Sequence, residues 1–120
     1  MAYKKEGKLP SYTILRNRLE DIDFASGEAS YLSMVIVEPG QTTTAIVDRT
    51  GISQQMVSTY AVKAEQRGIV KRTKIEDGSQ GRPEYGHFLR ILPKSAIKRL
   101  INEKKEKADP EAIQALEELL

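Results

Sequence analysis

Gln54, Gln55, Ser58 and Thr59 place two carboxamides and two hydroxyls along one stretch that reads as helix, and Lys63 adds an ammonium one turn later. A carboxamide donates and accepts at once, so a glutamine can pair with both edge atoms of an adenine. Short hydroxyls can reach a base or a phosphate. Thr43, Thr44 and Ser53 supply further hydroxyls just ahead of two helical segments. Downstream, Lys71, Arg72, Lys74, Gln80 and Arg82 gather four cations and an amide. Cations so grouped neutralise phosphates, and an arginine suits a narrow A·T-rich minor groove. The chemistry these residues offer is non-covalent recognition of a polyanion.

Bond-making chemistry finds no such support. Cysteine is absent and His87 is the single histidine, so a zinc site would need carboxylates for all its other ligands. No Ser/His/Asp grouping, phosphate-binding glycine loop or carboxylate pair is present, and Asp21 and Asp23 fall on different sides of a helix. The expectation is a protein that is not an enzyme and takes no metal or cofactor. With 39% hydrophobic and 30% charged residues the chain has a globular profile. No apolar run approaches the roughly 20 residues that span a bilayer, and no apolar stretch follows the basic start. A cytoplasmic, nucleoid-associated location without membrane contact is expected.

The net charge of +2 is unevenly spread. Residues 1–60 hold 6 basic and 7 acidic side chains, residues 61–107 hold 13 and 6, and residues 108–120 hold 4 acidic and none basic. The segments therefore carry −1, +7 and −4. A basic middle between neutral and acidic ends points to a localised surface for a polyanion.

These groups need elements to hold them. Residues 1–10 are expected to fray. Ser11 can cap a helix over 11–23 with Ile14, Leu15, Leu19 and Ile22 at helical spacing. Ser26-Gly27 breaks that pattern, and a second helix is expected over 28–38, stopped by Pro39-Gly40. A short helix over 43–49 buries Ile46 and Val47, Gly51 ends it, and Ser53 caps a helix over 54–67 that Gly68 closes. The period then becomes strand-like over 69–75 and 85–92, around a turn-rich tip at 76–83. Helices follow over 94–107 and from Asp109-Pro110 to the end. Tyr31, Tyr60 and Tyr85 read as core residues, although Tyr31 could instead line an effector pocket.

Residues 43–62 match a helix-turn-helix: glycine at the ninth position, Gly51, and apolar residues at Ile46, Ile52, Val57 and Tyr60. The continuation through Gly68 into a basic hairpin has the order of a winged helix. The runs Thr50-Gly51-Ile52-Ser53-Gln54-Gln55-Met56-Val57-Ser58 and Glu65-Gln66-Arg67-Gly68-Ile69-Val70-Lys71-Arg72 resemble the MarR, ArsR and PadR-like winged-helix regulators. Gly81-Arg82-Pro83-Glu84-Tyr85 is similar to their wing, and Leu92-Pro93-Lys94 to the step into their next helix. The resemblance covers about residues 28–95; Val47 stands where a small alanine is usual, and Ala61-Val62 where a leucine often packs.

The expected fold is mainly α with a small β-hairpin, a winged helix-turn-helix with extra terminal helices. Residues 11–95 form the DNA-binding domain and residues 96–120 the dimerisation helices. Ile97, Leu100, Ile101, Ile113, Leu116, Leu119 and Leu120 exceed what a small core usually needs, which favours a homodimer whose recognition helices meet half-sites ~34 Å apart. The expected partner is double-stranded DNA and the expected role a sequence-preferring repressor. Cooperative coating of DNA by a partition or chromatin-type protein, and a protein-interaction module in a larger assembly, are the alternatives.

Overall fold

The structure is a computed structural model and describes residues 10–75 and 84–120. Among these, the elements run α1 (Tyr12–Asp21), α2 (Ser26–Val37), β1 (Gln41–Thr42), α3 (Thr43–Thr50), α4 (Gln54–Gln66), β2 (Val70–Ile75), β3 (Glu84–Leu89), α5 (Pro93–Lys104) and α6 (Pro110–Glu117).

α2 is the axis of the molecule. Its residues from Glu28 to Ile36 are all buried, as a helix must be when neighbours surround it. α1, α3, α4, α5 and β3 pack on it. Leu15 and Leu19 from α1, Ile46 from α3, Val57, Ala61 and Ala64 from α4, and Ile97 and Leu100 from α5 complete one continuous core.

Ser26-Gly27 does not interrupt the helical pattern, as the sequence suggested; it opens α2. The glycine is there for space. A Cβ at position 27 would lie 2.7 Å from Tyr60 Oη and 3.1 Å from its ring, so α4 crosses close over the first turn of α2. Gly27→Ala gains helix propensity worth about 0.5–1 kcal/mol but overpacks this crossing, which costs typically about 1–3 kcal/mol. A net loss of about 1–2 kcal/mol is expected in urea denaturation. An unchanged midpoint would mean that Tyr60 moves aside freely.

The sheet is three-stranded and antiparallel in the order β1-β3-β2, where the sequence suggested only a hairpin. Gln41 pairs with His87 and Thr42 with Gly86, which ties the entry of α3 to the central strand. Two residues are too few for a period to reveal. β3 ends at Leu89, three residues earlier than expected, and the Arg90 amide then donates to the carbonyl of Ile69.

Both terminal helices start on a proline at their N-terminal turn, and Asp109 also caps α6. α6 packs on α1 and α5. Ile97, Leu100, Ile101, Ile113 and Leu116 are all buried within the single chain, and Leu119 and Leu120 are partly buried against the same core. These seven, expected at a dimerisation face, thus also pack within the chain. Much of their apolar surface is covered by packing α5 on α2 and α6 on α1.

Candidate nucleic-acid interface

α3 and α4 are set by their ends. Thr42 caps α3 by accepting from the Ala45 amide at 3.1 Å. Gly51 closes it at φ +78°, a left-handed conformation that glycine adopts without steric cost, and its amide donates to the Val47 carbonyl. Ser53 then caps α4 by accepting from the Met56 amide at 3.1 Å. At the far end Gly68, also at φ +78°, lets the Ile69 amide reach back to the Ala64 carbonyl and turns the chain into β2.

α4 buries Val57, Ala61 and Ala64. The rest of the helix surface is solvent-exposed and carries Gln54, Gln55, Met56, Ser58, Thr59, Val62, Lys63 and Gln66. The four hydrogen-bonding residues singled out from sequence thus lie together on one free helix surface. Thr59 spends its proton internally, donating to the Gln55 carbonyl at 3.1 Å. Ser53 is exposed but committed as a cap. Lys63 is half exposed and stands 3.9 Å from Glu28.

Other expected contact residues are used differently. Thr43 is 8% exposed, and its Oγ1 lies 2.8 Å from Nε2 of His87, which removes it from the surface set. Thr44 is exposed, yet its hydroxyl donates to Glu84 at 2.7 Å, joining α3 to β3. Arg72 is not a free cation: its guanidinium donates to Glu65 and stands 5.6 Å over the ring of Tyr85, which is itself part exposed rather than core. That contact holds the Glu65 carboxyl below its ordinary value. Lys71 and Lys74 are exposed, but they face opposite sides of the sheet: Lys74 pairs with Tyr85 and Lys71 with Phe88. Gln80 and Arg82 lie outside the described residues.

Two polar clusters behind this surface escaped the sequence reading. The first is centred on His87, 1% exposed, whose Nδ1 lies 2.8 Å from the Tyr31 hydroxyl and whose Nε2 contacts Thr43. Burial, with Arg72 nearby, pushes the imidazole down to about 4, and burial pushes the Tyr31 phenol up. Tyr31 is therefore a core residue, and His87 links it to Thr43, joining α2, β3 and α3. The second cluster centres on Arg67. It donates to Glu103 of α5 at 2.6 and 2.8 Å and to Glu28 of α2 at 2.9 Å, while Arg99 donates to its carbonyl. Phe24 packs against the guanidinium of Arg67 and the ammonium of Lys104. The Arg67 bonds hold the Glu103 carboxyl low. Burial alone would lower the pKa of Arg67, but its two carboxylate partners raise it.

Arg67 is only 17% exposed at its side chain, and Glu28 8%. Arg67→Ala leaves the Glu28 carboxylate to the longer contact with Lys63, at 3.9 Å. Fully buried pairs lose about 3–5 kcal/mol when broken and surface pairs about 0–1, so this mixed site is expected to lose about 2 kcal/mol. Chemical denaturation checks this, and Arg67→Lys should recover only part because a point charge cannot fork to two carboxylates.

A helix-turn-helix with a free outward face on its second helix, followed by a small antiparallel sheet, defines a winged-helix protein. Solved structures agree. A MarR transcriptional regulator from Methanosarcina mazei Go1 superposes with a TM-score of 0.53 at 19% identity, covering 90% of this chain and 81% of that one. A second, described as a transcriptional regulator, gives 0.54 at 18% identity, covering 90% and 82%. No protein-family model and no curated protein matches the sequence. At such identities the likeness establishes the winged-helix fold.

Proposed function

We propose that the chain is a sequence-preferring, double-stranded-DNA-binding transcription regulator, a homodimer acting as a repressor and without enzymatic activity. α4 enters the major groove, and the β2–β3 wing lies on the minor groove or backbone, with Arg82, which falls between the two strands in sequence, as a further contact. The observation that carries this reading is the outward face of α4. There, Gln54, Gln55 and Ser58 stand exposed on a rigid helix capped by Ser53. The regulators that share this fold support it, and so does the +7 charge of residues 61–107. Lys63 and Lys74 contribute phosphate contacts from two elements. Dimerisation uses the terminal helices α5 and α6, with Leu119 and Leu120, just past α6, only partly buried.

Selection of binding sites from random duplex DNA, followed by a salt series on the winner, tests the proposal. A sharp consensus with a steep salt dependence is expected. Equal binding to all sequences, with protection spreading as protein is added, would favour cooperative coating instead. Sedimentation of the complex with one duplex reads the dimer.

A further inference from the structure

Val62 and Met56 are the exposed apolar residues of α4, at 42% and 39%, and of the two only Val62 lies in line with Gln55 and Thr59. Gln55, Thr59, Val62 and Gln66 fall at i, i+4, i+7 and i+11, a single stripe opposite the buried Val57, Ala61 and Ala64. Within that stripe the Thr59 hydroxyl is already donating to the Gln55 carbonyl. The stripe therefore passes from a free carboxamide at Gln55 to a largely apolar patch at Thr59 and Val62. In the major groove the only apolar group a base pair presents is the C5 methyl of thymine, while adenine presents the donor and acceptor that a carboxamide matches.

We infer that Val62 is a specificity-determining residue that reads a thymine methyl group, about three base pairs from an adenine read by Gln55. This rests on the DNA-binding reading above and goes beyond it by naming what the second half of the helix recognises. The spacing follows from helix geometry. Seven residues rise about 10 Å, and base pairs stack every 3.4 Å or so, giving about three steps. An exposed valine alone would need no explanation. Its place on the stripe beside Thr59 is what assigns it.

The test uses the duplex chosen by selection, with each thymine replaced singly by deoxyuridine, which lacks only the methyl. Dissociation constants are measured for the wild type and for Val62→Ala, alanine being the better helix former at an exposed position. One position should weaken wild-type binding about four-fold, the effect of one buried methyl, and leave Val62→Ala unaffected. That position should lie about three base pairs from the adenine whose replacement matters only when Gln55 is present. If no thymine is methyl-sensitive, or Val62→Ala keeps the same sensitivity, the inference is overturned. Failure of the DNA reading itself looks different: Gln54, Gln55 and Arg82 could then all be replaced without loss of affinity at low salt.

Discussion

Replacing Gln54 and Gln55 together with alanine is expected to weaken binding to the selected duplex by about 100-fold. Each bidentate carboxamide–adenine pair discriminates by about 1–3 kcal/mol, and neighbouring contacts add imperfectly, so the pair should lose about 3 kcal/mol. Both side chains are exposed on α4 and neither contributes to the core, so the unfolding midpoint should stay within about 0.5 kcal/mol. Fluorescence anisotropy at fixed ionic strength reads the affinity. Because both residues are neutral, the slope of affinity against salt should not change. Lys74→Ala should behave in the opposite way, weakening all sequences alike and reducing the slope by about one contact. Should Gln54, Gln55 and Arg82 all become alanine with no loss of affinity at low salt, the DNA-binding proposal fails.

The second large effect is on stability. His87→Ala is expected to cost about 3–5 kcal/mol. A neutral imidazole donates through one nitrogen and accepts through the other, so Tyr31 and Thr43 play opposite roles in whichever tautomer is present. Removing the ring leaves two buried hydroxyls without a partner, at about 1–3 kcal/mol each, and opens a cavity between α2, α3 and β3. The same residue makes stability depend on acid. In the unfolded chain the imidazole takes a proton near its ordinary value of 6.5, whereas in the fold it resists until about 4. Falling pH therefore favours the unfolded state. The stability linked to His87 is complete above 6.5 and is lost between 6.5 and about 4, by about 3 kcal/mol. Glu65 and Glu103, both held low by arginines, lose their contributions only further into acid. Urea midpoints at neutral pH and near pH 4.5 should differ strongly in the wild type and much less in His87→Gln. Parallel pH profiles would show that the histidine is not the group responsible.

Much of the fold could be read from adjacent residues. Ser11, Ser53 and Asp109 cap helices, Gly51 and Gly68 close them, and Pro93 and Pro110 start them, because each acts on backbone within four residues of itself. The outward face of α4 was legible for the same reason: its apolar positions fix which side is buried and so which is free. Arg72 and Thr43 show the limit. As residue types both suit a phosphate, but Arg72 turns back from β2 onto Glu65 in the last turn of α4, and Thr43 meets a histidine 44 residues away. Nothing in either local sequence announces such a partner.

The terminal leucines and isoleucines make the same point about packing. Their number was visible, and it was consistent with either a dimer face or a larger core. Only the tertiary structure shows how much of that surface the chain itself covers, as α6 returns onto α1. The sequence by itself determined the helix-turn-helix, the cap and closing glycine of its second helix, and the polar face that helix presents, since these depend on period and backbone chemistry over a few residues. The tertiary structure decided which polar side chains remain available to a partner. Availability depends on groups brought together from distant parts of the chain, and burial without a hydrogen bond is too costly for those groups to stay uncommitted.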